Sequence, residues 1–149
     1  MKQCVFALVG FGMLAGAACS HASDLGKVDQ KNPPSREELK APKSDKGIEI
    51  VRLRGPVSGT AKIEPPLRVY VLVNPLSNKD TQDVWWVQDA QFADGKLTGT
   101  CQFGEGAAGI GEYFAIIAIA TDKSYSTGDM ITGLPRAALY SKLKIVKRE

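Results

Sequence analysis

Histidine is almost missing from this sequence. The single one, His21, lies close to the N-terminus. A Ser-His-Asp or Cys-His nucleophilic site therefore lacks its base, and a histidine-ligated zinc or copper site lacks its ligands. Cysteine is nearly as scarce, with three residues (Cys4, Cys19 and Cys101) spread along the chain. No apolar run reaches the roughly 20 residues that a membrane-spanning helix needs. Charge of one sign is not in excess either: 19 Lys and Arg against 16 Asp and Glu leave +3, too little to argue for a nucleic-acid binder. Hydrophobic residues at 44% and charged residues at 23% are ordinary globular values, which excludes wholesale disorder. With 149 residues, one domain is expected rather than two.

The N-terminus reads as a bacterial secretory signal occupying residues 1–22: Lys2, an apolar run over 5–15, then the small residues Gly16-Ala17-Ala18 before Cys19. Its end has two readings. Gly16-Ala17-Ala18-Cys19 resembles a lipobox, whose cysteine is acylated and becomes the first residue, although Gly16 stands where a Leu is usual. Ser20-His21-Ala22 offers ordinary cleavage before Ser23. The protein is accordingly expected to be exported, either as a membrane-anchored lipoprotein or soluble in the periplasm or outside the cell. In both cases Cys101 is the one thiol left, and a lone thiol in an oxidising compartment survives as buried core filler.

Residues 23–46 hold few large apolar side chains and are rich in Lys, Asp, Ser and Pro, so they read as a flexible tether. A loose coil of that length would hold the domain roughly 25 to 30 Å from its anchor. Ser35-x-x-Glu38 resembles a capping box, but Pro42 stops any helix after about a turn. From residue 47 to 149 the texture changes to short apolar runs broken by Gly, Pro, Asn and Asp. Strands are expected at 48–53, 57–63, 68–73, 84–88, 96–103, 112–121 and 139–146, with a Gly55-Pro56 turn between the first two. Seven short strands without intervening helices predict an all-β sandwich of antiparallel sheets. The third and sixth strands are apolar on both faces and belong side by side at a sheet centre. The last carries lysines on one face, as an open edge strand would.

Several residues invite chemistry. Gly104-Glu105-Gly106-Ala107-Ala108-Gly109 matches G-x-G-x-x-G, but a strand follows almost at once where a dinucleotide site needs a helix, so the glycines read as a flexible hairpin loop. Asp80, Asp83, Asp89 and Asp94 surround Trp85-Trp86. A glycosidase pair could be drawn from them, yet they sit where turns want aspartate, and Asn78-x-Asp80-x-x-Asp83 lacks the spacing of a calcium loop. No catalytic residue, metal or cofactor is expected. Adjacent tryptophans on a strand face opposite ways, so one of Trp85 and Trp86 is outward, a platform on which sugars stack or proteins dock. Trp85, Trp86, Asp83 and Asp89 are the candidate ligand-binding residues. Arg136, Lys142, Lys144, Lys147 and Arg148, against the single acidic Glu149, form a candidate basic edge for anionic partners.

Residues 48–148 resemble uncharacterised Ig-like domains of exported bacterial proteins, through Val57-x-Gly59, Val69-Tyr70-Val71-Leu72-Val73-x-Pro75, Trp85-Trp86-Val87-Gln88, Asp94-Gly95-Lys96, Gly109-x-Gly111-Glu112-x-Phe114-x-Ile116-x-Ala118 and Leu134-Pro135. That resemblance implies a small Ig-like binding or adhesion module. The expected function is a non-catalytic envelope binding module whose partner is an envelope protein or a glycan. A carbohydrate- or cell-wall-binding role through the exposed Trp is the alternative, and a structural role in an envelope assembly the second alternative. If Cys19 is acylated, the lipid is a further, membrane contact.

Overall fold

The computed structural model describes residues 21–77 and 83–149; of the signal read over residues 1–22, residues 1–20, with Cys19, lie outside the described residues. The fold is all-β, and no helix occurs among the described residues. Eleven strands form two sheets packed as a sandwich: β1 (Ser23–Lys27), β2 (Glu49–Val51), β3 (Arg54–Thr60), β4 (Arg68–Pro75), β5 (Val84–Val87), β6 (Asp89–Ala93), β7 (Lys96–Gln102), β8 (Tyr113–Thr121), β9 (Met130–Thr132), β10 (Leu139–Tyr140) and β11 (Lys144–Arg148). One sheet has the order β1-β3-β7-β6. The other has the order β2-β11-β8-β4-β5-β9, with β10 also on β8.

The neighbour relations expected at the centre are present. β4 and β8 pair antiparallel from Arg68↔Thr121 to Pro75↔Phe114, and β11 flanks β8 on its other side. Both faces of this pair are buried. Val69, Val71, Val73, Phe114, Ile116, Ala118 and Ala120 join the core between the sheets, while Leu72, Ala115, Ile117 and Ile119 join a second core on the outer face. Loops cover that outer face, with Leu39, Tyr125 and Leu134 packed against it.

The structure corrects four expectations. The sheets are mixed rather than purely antiparallel, because β1 runs parallel to β3 and β2 parallel to β11. Gly55-Pro56 is no turn but lies within β3. β1 pairs with β3 only from Val57 onward, so Pro56, which has no N–H to donate, sits where the outer edge of β3 is still unpaired. The tether read over 23–46 begins as a strand: Leu25 and Val28 are buried in the inter-sheet core, and Gln30 bridges to Tyr140 with N···O distances of 2.9 and 2.7 Å. Two or three apolar side chains suffice when they meet a complementary surface, a property that composition averaged over 24 residues hides. Further along the segment the capping box does form around a single turn: the Ser35 N–H donates to Glu38 Oε2 at 2.7 Å, and the Glu38 N–H to Ser35 Oγ at 3.3 Å. Finally, β11 is not an edge, because β2 covers it.

The strand β6 went unread because its outward positions, Asp89, Gln91 and Ala93, carry no apolar alternation strong enough to stand out. It forms a hairpin with β7 through Asp94-Gly95, both at positive φ (52° and 75°), the two-residue turn whose twist matches that of the strands. Cys101 is fully buried in β7, and burial pushes its thiol up to about 12.

Two outcomes follow. Leu25→Ala should cost about 2–5 kcal/mol, measured by urea denaturation, as for a core leucine; a change below 0.5 kcal/mol, on the order of a surface substitution, would restore the tether. Cys101, followed by peptide mapping, should resist thiol reagents at pH 8 in the native protein and react at once in 6 M guanidinium.

Candidate functional site

Trp85 and Trp86 point to opposite sides of β5. Trp85 is 2% exposed and belongs to the outer-face core with Val87 and Ile117. Trp86 is 38% exposed. It lies opposite Val73 on β4 and Met130 on β9, and Val73 faces the inter-sheet core. Trp86 and Met130 thus occupy the inner face of the wider sheet, yet Met130 is 64% exposed. Four strands cannot cover a sheet whose path is six strands wide, and the uncovered overhang falls at β5 and β9.

A cavity of about 710 Å³ opens beside this overhang. The chain changes sheet at Gln88: β5 pairs with β4, whereas β6 pairs with β7 from Asp89 onward. The cavity is lined at this crossing by Trp86, Val87, Gln88 and Asp89. Gln88 holds its two sides at a fixed separation. Its Nε2 donates to the Trp86 carbonyl at 3.0 Å, and its Oε1 accepts the Gln102 N–H at 2.8 Å. Val73, Pro75, Trp86 and Phe114 supply apolar surface. Arg54, Gln88, Asp89, Thr100, Gln102, Glu105 and Glu112 supply polar groups. The third wall is the glycine-rich segment 103–112. The expected hairpin is instead a crossover, since β7 and β8 belong to different sheets, and it is tied down rather than flexible.

Of the sequence-derived candidates, Trp86 and Asp89 therefore meet in one cleft. Trp85 is core. Asp83 lies at the far end of β5, where its backbone carbonyl accepts the Gly133 N–H, and it does not line the cavity. Asp80 is outside the described residues, and Asp94 makes the hairpin turn. Arg54, Gln88, Gln102, Glu105 and Glu112 were missed. Gln88 and the glycine segment were noticed only as resemblance and loop, and nothing in the local sequence marks Met130 or Arg54. Among the described residues, no three His, Cys, Asp or Glu side chains gather closely enough to hold a metal ion.

The basic residues do not make one exposed edge. Arg136 and Lys142 are exposed. Lys144 Nζ lies 2.9 Å from Glu49 Oε2, and Lys147 Nζ lies 2.7 Å from Asp45 Oδ2 and over the Tyr113 ring. Hydrogen bonds from Lys147 and from the Tyr113 hydroxyl hold the Asp45 carboxyl below the usual range. Arg148 is buried. Glu49 also accepts the Ser23 hydroxyl at 2.7 Å, so one carboxylate joins β1, β2 and β11. Burial alone would raise its pKa, but the hydrogen bonds from Lys144 and Ser23 and the charge of Lys144 outweigh that and lower it.

No family model, curated protein or solved structure matches this chain.

Because Glu49 titrates lower folded than unfolded, its contribution to stability is complete above about pH 4.5 and is lost as pH falls through the lowered folded value. Glu49→Gln should lower the urea midpoint at pH 7 and flatten its decline between pH 5 and 3. Parallel curves for the two proteins would show that the carboxylate contributes nothing.

Proposed function

We propose that this chain is an exported binding module without catalysis of its own, and that it receives a carbohydrate in the cleft at Trp86. The observation that carries this reading is the exposed indole set within a walled cavity rather than on open surface. A sugar ring is amphipathic in the same way as this cleft. Its C–H face stacks on an aromatic plane, and its rim of hydroxyls needs donors and acceptors. Asp89, Glu105, Arg54, Gln102 and Thr100 offer both kinds around Trp86.

Anchoring through Cys19 fits the same reading with a changed reach. Three residues separate Cys19 from the start of β1 at Ser23, so an acylated chain would seat the sandwich within roughly 14 Å of the lipid. An envelope glycan close to that membrane is then the natural ligand. A protein partner is the second reading, favoured by Met130 beside Trp86, since a thioether and an indole together suit an apolar interface.

Soluble peptidoglycan fragments and cello-oligosaccharides titrated against the protein should quench or blue-shift tryptophan emission. Trp86→Ala should abolish that response with little loss of stability, and Asp89→Asn should weaken binding about tenfold or more, as a lost charged hydrogen bond does. Trp85→Ala should instead cost about 3–5 kcal/mol of stability. If no saccharide alters the emission, the carbohydrate reading fails. A cross-link to an envelope protein from position 86 or 130 would put the second reading in its place.

A further inference from the structure

We infer that Arg148 is a positioning residue for the cleft, its buried guanidinium setting the shape of the glycine-rich wall; this rests on the reading of the cleft as the binding site. Arg148 ends β11 and is 4% exposed. Its guanidinium makes no ion pair with a carboxylate among the described residues. It donates instead to backbone carbonyls of the wall: Nη1 to Phe103 O at 2.9 Å and to Ala108 O, and Nη2 to Gly106 O. Its backbone holds the far end of the same segment, accepting from the Gly111 N–H at 2.8 Å and donating to Glu112 O at 3.0 Å.

A buried cation must replace its lost hydration, and here three peptide carbonyls serve Nη1 and Nη2 while the buried Nε–H is left without an acceptor among the described residues. Turning three carbonyls of one short segment toward a single group forces the chain to double back. That is why glycine recurs: Gly104, Gly106 and Gly109 have φ of 80°, 56° and 96°. A Cβ at Gly104 would strike Ala108 O, and one at Gly109 would lie 3.0 Å from Phe114 Cζ. The other side of the same turn lines the cavity through Gly104, Glu105, Ala108 and Gly109. Remove the guanidinium and three carbonyls, one buried and two part-buried, lose the donor they share, so the wall opens. Lysine keeps the charge but is a point, not a planar fork, and cannot serve three acceptors in these positions.

Amide hydrogen exchange on the full chain and on Arg148→Lys tests this. Residues 104–111 should exchange at least tenfold faster in the variant, while β4 and β8 stay protected, and affinity for soluble peptidoglycan fragments should fall at least tenfold. In Arg148→Ala, millimolar methylguanidinium should restore the protection of the loop, whereas methylammonium should not. Loop exchange within twofold of wild type overturns the proposal. So does a uniform rise across loop and sheet, which would mark a residue that only stabilises the fold. Should neither variant fold, the wild-type protein decides: resolved, slowly exchanging Arg148 Nη–H signals support the assignment, and averaged ones overturn it. A wall that loosens in Arg148→Lys while the wild type binds no fragment defeats the carbohydrate reading alone. A wall that stays intact while Trp86→Ala loses binding defeats the role of Arg148 alone.

Discussion

The antiparallel pair β4–β8 is buried on both faces, and every other element is placed by the need to cover one face or the other. Fully burying each of Val71, Leu72, Val73, Ile116, Ile117 and Ile119 is worth about 1.5–3 kcal/mol, which only two separate covers can secure. The four-stranded sheet is one cover; residues 30–46 and 122–143 are the other. A pair apolar on both faces also has a weakness. A slip of one residue would not expose a polar face, so hydrophobic pattern alone cannot set its register. Buried polar groups fix instead how the flanking strands meet this pair, β5 against β4 and the β10–β11 junction against β8. Asn74 donates its side-chain amide to Val84 O at 2.8 Å, and the Ser141 hydroxyl accepts the Ala118 N–H at 2.9 Å. Ser141 lies where the pairing with β8 shifts by one residue, between Tyr140↔Ile119 and Lys144↔Ile116. The bulge splits the expected last strand into β10 and β11 and lets both keep apolar residues against their cores.

The cleft is a consequence of unequal cover. Extending the narrow sheet past β6 would need another strand, and the chain instead crosses to the other sheet at Gln88. Trp86 is left on an inner face with no strand of the narrow sheet packed directly over it, only the cavity. A tryptophan on such a face is costly to leave in water, and ordinary core packing would favour a smaller or polar residue there. Its place beside Asp89 and the Gln88 amide, which accepts the Gln102 backbone N–H, gives the proposed binding reading its structural basis.

Most of the centre of the fold was legible. Two-faced apolar runs name the middle strands, because the physical demand lies within a few consecutive residues, whereas the Asp94-Gly95 hairpin went unread together with β6. The site was legible only in part. Adjacent tryptophans must face opposite ways, so the strand alone puts the two indoles on different faces but does not say that either is exposed. Whether one is, and which, depends on where the narrow sheet stops, a property of the whole topology. Arg148 shows the same limit. In the sequence it stands among lysines and reads as surface charge, and only the carbonyls of a segment some forty residues away turn it inward. The tether failed for a related reason: Leu25 and Val28 are too few to predict a core, but enough to join one that exists.

Glu49 ties the two ends of the domain together. Ser23 opens β1 and Lys144 opens β11, and both reach the same carboxylate on β2. β1 and β2 each add to their sheet in parallel, which requires a partner strand already in place at a distance along the chain. For β2 that partner is β11, which lies between β2 and β8, so the pairing of Glu49 with Lys144 forms only once β11 is in the sheet. Contacts of such long separation carry a loop-closure cost that grows slowly with the length of chain between them. Arg148 lies in that same final strand. The wall of the cleft is therefore completed only when β11 takes its place in the sheet.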